Sequence, residues 1–179
     1  MDSLSSISPC AGLLPLTIGA LTIVEYEAGP IISVSPFSSV SKSKLERALG
    51  IPFPAPGQSI VSGSARCIWV GQGEALLIGA PPPAAKLGTY AAVVDQSDAW
   101  ALVTLRGTGG ADALARLVPV DLRLSRFAVD ATVRTQVGHM NASITRLDAE
   151  TYLIAVFRSM AGTLVHDLQR ALEAVAARG

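Results

Sequence analysis

Charged side chains are scarce in this chain of 179 residues, where they make up 16% of the sequence while half of the residues are hydrophobic. Soluble domains ordinarily have about 25% charged residues. Either the core is well filled, or part of the apolar surface meets another protein, and we favour the second interpretation. The 14 basic and 14 acidic residues balance, and no basic run or stripe is present. The sequence therefore gives no reason to expect nucleic acid as a partner.

Cysteine is also scarce, and the two cysteines do not form a disulfide framework, which fits a reducing compartment. Cys67 stands in an apolar run and is expected to be a small buried side chain, whereas Cys10 is expected in a disordered start at residues 1–13. The uncharged stretch 3–24 lacks the positive beginning of a secretory signal. Its prolines and serines also argue against a membrane-spanning helix. We therefore expect a cytoplasmic protein with no membrane segment.

Motifs for phosphate and metal binding are missing as well. Gly107-Thr-Gly-Gly110 follows a predicted strand and opens a predicted helix, which is the local context of a phosphate cradle. The Gly-x-Gly-x-x-Gly pattern and the lysine of a P-loop are absent, so a structural turn is the favoured interpretation. His139 and His166 are the only histidines, and neither has cysteine or carboxylate at metal-ligand spacing. No metal site is predicted.

The remaining candidates for chemistry surround one strand end. Ser97 is flanked by Asp95 and Asp98 rather than by a base, and no serine stands in a Gly-x-Ser-x-Gly motif, so no nucleophile is predicted. Turn formation is the favoured role of the two aspartates. Arg158, at another strand end, has the chemistry to hold a carboxylate, which could belong to Asp95 or Asp98, to another subunit or to a ligand. We favour an internal or intersubunit salt bridge.

Alternating, β-branched segments predict short strands with a few helices between them. The predicted strands lie at 16–34 with a break at 28–30, 65–70, 74–78, 90–94, 100–106, 133–145 and 151–157. The predicted helices lie at 41–49, with Ser41 as N-cap and Gly50 as its stop, at 110–117 and at 160–177, and a short helical or irregular piece starts at 81–83.

The order strand, helix, strand, strand occurs in 16–79 and again in 100–157. This order predicts an α+β fold of duplicated ferredoxin-like halves, with largely antiparallel sheets and helices on one face. We expect a single domain at 14–179, with half-units at about 14–90 and 91–179.

Three segments carry a resemblance to a known family. They are Asp95-Gln-Ser-Asp-Ala-Trp100, Gly138-His-Met-Asn-Ala-Ser-Ile-Thr-Arg146 and Val156-Phe-Arg-Ser-Met-Ala161. Together they resemble the gamma subunit of heterotetrameric sarcosine oxidase, from about Leu14 onward. That family is similar in fold to the folate-binding domain of the glycine-cleavage T-protein. An aspartate–serine element before a strand and a Gly-x-x-Ala turn into a helix belong to the T-protein-like pattern, and here Asp95, Ser97 and Gly107 occupy such places.

The resemblance implies an accessory, non-catalytic subunit of a complex that oxidatively demethylates sarcosine to glycine, with formation of hydrogen peroxide and transfer of a one-carbon unit to tetrahydrofolate. It implies alpha and beta partner subunits, and possibly delta. FAD, FMN, NAD and tetrahydrofolate are expected in those partners and no cofactor in this chain. A stand-alone folate-binding or aminomethyltransferase-like module is the alternative, with weak folate candidates at Asp95, Ser97 and Arg158. The candidate interface residues are His139, Asn141, Arg146, Arg158 and His166. The isolated chain could also form a homodimer through unpaired strand edges.

Overall fold

Two antiparallel sheets stacked face to face form the centre of the computed structural model, which describes residues 7–79 and 87–178. The six-stranded sheet has the order β1-β2-β8-β11-β10-β9, and the five-stranded sheet has the order β4-β5-β6-β3-β7. The strands are β1 (Leu16–Ile18), β2 (Leu21–Glu25), β3 (Ile31–Pro36), β4 (Ser59–Ser62), β5 (Ala65–Gly71), β6 (Glu74–Ile78), β7 (Ala91–Asp95), β8 (Trp100–Arg106), β9 (Thr132–Val137), β10 (Met140–Arg146) and β11 (Thr151–Phe157).

Helices cover the outer face of each sheet. Helix α1 (Lys42–Leu49) lies on the five-stranded sheet and ends at Gly50, whose φ of 78° is readily adopted by glycine. Helices α2 (Gly110–Leu114) and α3 (Ala161–Ala176) lie on the six-stranded sheet. A short 3₁₀ turn, Arg158–Met160, joins β11 to α3.

Three clusters of buried side chains hold these layers together, because alternate residues of each strand point to opposite faces. Leu105 and Ile154 face α3 and its residue Leu168, while Val34 and Leu77 pack with α1. The third cluster fills the space between the two sheets and consists mainly of Ile31, Ile68, Val70, Leu76, Ile78, Trp100, Leu102, Leu153 and Ala155. The result is a helix–sheet–sheet–helix arrangement.

The sheets do not follow the boundary that the sequence suggested near residue 90. Strands β1 and β2 come from the first half of the chain but belong to the six-stranded sheet, where β2 pairs with β8. Strand β7 comes from the second half but pairs with β3 in the five-stranded sheet. The long-range pair between Val24 and Thr104 is an example of this exchange. The two layers are therefore built from interleaved parts of the chain.

Several local predictions agree with the structure, and others need correction. The predicted strands at 100–106 and 151–157, the 65–78 hairpin and the three helices are present, although α2 is shorter than expected. The predicted 16–34 region contains an additional hairpin between β1 and β2, and 133–145 is a hairpin rather than one strand. Strand β4 was not predicted. The predicted piece starting at 81–83 lies outside the described residues.

The beginning of the described chain is also different from the prediction. Residues 9–13 form a turn, and Cys10 is fully buried, with its backbone N–H donating to Glu25 Oε1 at 3.0 Å. The hydroxyl of Ser8 donates to Glu25 Oε2 at 2.7 Å. These contacts tie this part of the predicted disordered start to the end of β2.

Candidate functional site

A cavity of about 320 Å³ lies beside the end of β2, where several of the candidate side chains meet. Its walls come from residues 25–29 after β2, from Ser8 and Pro9, and from Ile31 and Leu102. Ser97, Trp100 and Arg158 complete the lining. The fold thus brings together Ser97 and Arg158, which lie far apart in the sequence.

Ser97 is held in the wall of this cavity by a local turn. Its hydroxyl donates to Asp95 Oδ1 at 2.6 Å and its backbone N–H donates to the same oxygen at 2.9 Å. The Ser97 oxygen also accepts a hydrogen bond from the backbone N–H of Ile31 at 3.1 Å. The two bonds from Ser97, the hydroxyl bond foremost, lower the pKa of Asp95. Asp95 therefore stays ionised and positions Ser97, as expected of an aspartate in a turn.

Arg158 reaches the cavity from the turn after β11. Its backbone N–H donates to the Ala99 carbonyl at 2.8 Å, and its guanidinium donates to the carbonyl oxygen of Ile7. It forms no ion pair with Asp95 or Asp98, which corrects two of the partners considered from the sequence. Arg158 therefore fastens the residue 7–9 segment beside the cavity.

Acidic side chains that the sequence did not single out also line the cavity. Glu25 and Glu27 both face it, with Tyr26 between them in the chain. Glu25 is engaged with Ser8 and Cys10, while Glu27 is exposed. These carboxylates become part of the site only because β2 pairs with β8, and no local sequence signal indicates that pairing.

The glycine-rich turn serves close packing. A Cβ on Gly107 would lie 2.1 Å from the carbonyl oxygen of Ala20, and one on Gly110 would lie 3.3 Å from the Tyr152 ring. The backbone therefore passes against its neighbours where a side chain does not fit. This supports the structural interpretation of Gly107-Thr-Gly-Gly110 over a phosphate cradle.

The two histidines are exposed and lie on two segments that approach each other at Gly138 and Asp167. His139 is in the β9–β10 turn, whose Gly138 approaches the Asp167 carboxylate on α3, and His166 precedes that aspartate. A Cβ on Gly138 would be 3.2 Å from Asp167 Oδ2. His139, His166 and the neighbouring Asn141 are exposed, so they remain available to a partner.

Arg146 does not fit the interface role that was predicted for it. Its side chain is buried, with 1% of its surface exposed. The guanidinium donates to the carbonyls of Phe127 at 2.6 Å and Ala149 at 2.5 Å, to that of Leu122, and to the Tyr152 hydroxyl at 2.6 Å. A charge with so many internal acceptors organises the surrounding loop and is not free to contact another chain.

No group of three or more histidine, cysteine, aspartate or glutamate side chains is placed to hold a metal ion among residues 7–79 and 87–178. Over the same ranges, no helix has the length and apolar character needed to cross a membrane.

Comparisons with known proteins place this fold beside two others. No protein-family model matches the chain, and no curated protein gives a significant sequence match. A chain of the heterotetrameric sarcosine oxidase from Corynebacterium sp. U-96, solved in complex with pyrrole 2-carboxylate, has a TM-score of 0.83 and 22% identity, and the match covers 96% of both chains. The glycine cleavage system aminomethyltransferase T from Bartonella henselae has a TM-score of 0.60 and 17% identity over 85% of this chain.

This chain spans 46% of the Bartonella protein, whereas its match to the oxidase chain runs nearly end to end in both directions. The α+β fold with antiparallel sheets that the sequence predicted is confirmed, and so is its resemblance to sarcosine oxidase and T-protein structures.

Proposed function

We propose that this chain is the accessory, non-catalytic gamma subunit of a heterotetrameric sarcosine oxidase. The observation that carries the proposal is the end-to-end structural match to one chain of such an oxidase, with a TM-score of 0.83. Equal coverage of 96% on both sides means that the two chains have nearly the same length, as expected of equivalent subunits. The three sequence segments that resemble the gamma subunit support the same assignment.

The surface of the chain agrees with a role in assembly. Phe157 and Met160 lie close together in the chain at the β11–α3 junction, and they are 48% and 41% exposed. Exposed large apolar side chains of this kind are typical of surfaces that meet another protein. His139, Asn141, Arg158 and His166 remain the polar candidates for that contact.

In this proposal the larger alpha and beta subunits, possibly with delta, carry FAD, FMN, NAD and tetrahydrofolate and perform the demethylation of sarcosine to glycine. The gamma subunit stabilises the assembly. The state of Asp95 supports this division of roles, because its carboxylate is occupied by Ser97.

Co-expression with the neighbouring genes tests the proposal directly. Purification of the tagged chain is expected to recover larger partners whose flavins absorb at about 450 nm, because a bound cofactor brings its own chemistry and spectrum. Recovery of the chain alone and colourless would argue against an oxidase subunit. Flavin bound to the isolated chain would contradict the accessory role.

Substitution of two exposed histidines then tests the polar interface candidates. His139→Asp with His166→Asp is expected to reduce recovery of the partners, since both side chains are exposed and near the same turn. Arg47→Gln, exposed on the opposite side in α1, is the control and should leave recovery unchanged. Full recovery with the histidine variant would remove these residues from the interface without affecting the assignment of the subunit.

A folate-binding module related to aminomethyltransferases is the second candidate, and the cavity lined by Ser97 and Arg158 favours it. Its volume of about 320 Å³ is at the lower end for small-molecule pockets, which are about 300–1,000 Å³. Tetrahydrofolate would then raise the melting temperature of the isolated chain by mass action. Ser97→Ala should diminish the rise, whereas Ser62→Ala, exposed on β4, should not. No rise at saturating tetrahydrofolate would exclude this candidate.

A further inference from the structure

Residues 7–13, called the strap below, supply one wall of the cavity at the end of β2. Ser8 and Pro9 line that cavity opposite the strands. Every other lining residue lies in a strand or in a segment that directly follows a strand. Movement of the strap would therefore open the cavity from one side while both sheets stay in place.

The backbone of the strap is hydrogen-bonded only to itself. The N–H of Ala11 donates to the carbonyl of Ser8 at 3.2 Å, and the N–H of Leu13 donates to the carbonyl of Cys10 at 3.0 Å. Within residues 7–79 and 87–178, no backbone–backbone hydrogen bond joins the strap to another segment, and the strap belongs to neither sheet. It can therefore leave the body of the protein without breaking a strand pairing.

Two charged side chains fasten the strap. The Glu25 carboxylate accepts from the Ser8 hydroxyl at 2.7 Å and from the Cys10 N–H at 3.0 Å, and Arg158 donates to the Ile7 carbonyl. Cys10 is the one fully buried residue of the strap, and Ile7 is 61% exposed. Opening thus exposes one small side chain and breaks a few hydrogen bonds. Segments with so few buried contacts open at a lower free energy than the whole domain.

We propose that the strap is a lid on this cavity, which opens as a unit while both sheets remain folded. Glu25 and Arg158 are the two fastenings that hold it closed. Lids over cavities belong to the least stable segments of a fold, because they must move without unfolding the rest. The proposal concerns the isolated chain and does not depend on its assignment as an oxidase subunit.

The Cys10 thiol reports on the strap, and Cys67, in β5 under α1, reports on the body of the protein. Alkylation of the full chain by iodoacetamide, followed by mass spectrometry of the two cysteine peptides, gives a separate rate for each. Both rates should be slow in the unsubstituted chain. Arg158→Leu should accelerate Cys10 about tenfold, since a charged hydrogen bond is lost, and leave Cys67 unchanged. Arg116→Leu, at an exposed arginine, is the control and should change neither rate.

The fastening by Glu25 is tested by amide hydrogen exchange, because its carboxylate also raises the pKa of the Cys10 thiol and would affect alkylation directly. Glu25→Gln should accelerate exchange of the Cys10 N–H about tenfold, since two charge-assisted hydrogen bonds are weakened. Exchange of Ile154, in β11 between β8 and β10, should not change. Glu27→Gln, at an exposed glutamate of the same cavity, is the matched control.

Fluorescence connects the strap with the cavity. Trp100 lines the cavity, and the only other tryptophan is Trp69, so Trp69→Phe leaves a single indole. In that background Glu25→Gln should increase the quenching of Trp100 by acrylamide, because the cavity opens more often. Glu27→Gln should leave the quenching unchanged.

Three results would overturn the proposal. Equal acceleration of Cys10 and Cys67 in Arg158→Leu would show that the whole domain opens and not the strap alone. Unchanged Cys10 alkylation in Arg158→Leu together with unchanged Cys10 exchange in Glu25→Gln would remove the two fastenings. Faster Cys10 exchange without greater quenching of Trp100 would show that the strap does not cover the cavity. None of these results bears on recovery of partner subunits, so failure here and failure of the proposed function remain distinguishable.

Discussion

Arg146 and Tyr152 face each other as cross-strand partners of β10 and β11, and the guanidinium carbon of Arg146 lies 4.5 Å from the centroid of the Tyr152 ring. The Tyr152 hydroxyl accepts from Arg146 and donates to the Leu122 carbonyl at 2.9 Å. Burial is the main cause that raises the pKa of Tyr152. The pair stabilises the loop around residues 122–127 against the sheet without any carboxylate.

Arg146→Ala is expected to lower the free energy of unfolding by about 3 kcal/mol or more, because several buried carbonyls and a hydroxyl lose their donor and each such loss costs roughly 1–3 kcal/mol. Arg146→Lys should recover part of this only, since an ammonium lacks the planar fork. Urea unfolding measures both. The control is Arg116→Ala, an exposed position, with a change of about 0.5 kcal/mol or less. Equal effects at 116 and 146 would contradict the role given to Arg146.

Substitution of Gly107 tests the close packing of the glycine-rich turn. It has a φ of +116°, and an added Cβ would meet the Ala20 carbonyl oxygen at 2.1 Å, so backbone must move in Gly107→Ala. Gly63 has a φ of +60° with open space around its Cβ position, which makes Gly63→Ala the matched control. The control should cost about 1 kcal/mol for its backbone conformation. Gly107→Ala should cost about 2 kcal/mol beyond that, as overpacking does. Similar melting temperatures for the two variants would contradict this packing.

Asp130 connects the two sheets and is expected to stabilise their contact. It accepts from Arg66 Nη1 at 2.7 Å, and its carbonyl accepts from the backbone N–H of Ser59 in β4 at 2.8 Å. Its φ of 62° suits aspartate and asparagine, so Asp130→Asn keeps the backbone and removes the charge. Because the carboxylate is 45% exposed, the expected loss in a urea titration is about 1 kcal/mol.

The exposed pair of Asp121 and Arg123 is the comparison for this result. Asp121→Asn should shift the unfolding transition less than Asp130→Asn does, since solvent screens a surface ion pair. A larger effect at Asp121 than at Asp130 would contradict the importance of the connection between the sheets.

How far the sequence predicts this molecule depends on the range of the contacts involved. The strands at 100–106 and 151–157 were predicted because alternation and β-branched residues are local signals. The sequence did not predict that β1, β2 and β7 exchange between the sheets. Pairing between distant strands produces no local pattern in either strand. Strand β4 was missed because it is short, follows a proline-rich loop and is secured by the distant Asp130.

The candidate site shows the same difference between local features, which the sequence predicts, and long-range contacts, which it does not. The turn in which Asp95 holds Ser97 was foreseen from residues two apart. Glu25 and Glu27 join Ser97 in the cavity only through the pairing of β2 with β8, which cannot be derived from their surroundings. Arg146 was wrongly placed at an interface, because arginine is usually exposed and the carbonyls that satisfy it come from a loop about 20 residues away.

The Asp121 carboxyl gives a prediction of pH dependence. Hydrogen bonds from Arg123, from its side chain first, lower the pKa of Asp121 to about 2 from the ordinary 3.8. A lowered pKa in the folded state means that the interaction stabilises the loop above pH 3.8, and that this contribution is lost as the pH falls toward about 2. NMR titration of the carboxyl should give the low value, and Arg123→Gln should bring it back toward 3.8. A pKa near 3.8 in the unsubstituted chain would contradict the pairing.

The two cysteines should be inert while the chain is folded. Both are fully buried, and burial raises the pKa of Cys67 to about 12 and, with the nearby Glu25 carboxylate, that of Cys10 to about 11. Only the thiolate reacts, so alkylation by iodoacetamide at pH 8 should be slow in the native chain and rapid in denaturant. Because the folded pKa values are raised, the neutral thiols favour folding below the ordinary pKa of 9.0, and this contribution declines as the pH rises above it. Cys67→Ala should therefore weaken the alkaline loss of stability, and a rapid native reaction at Cys67 would contradict its place under α1.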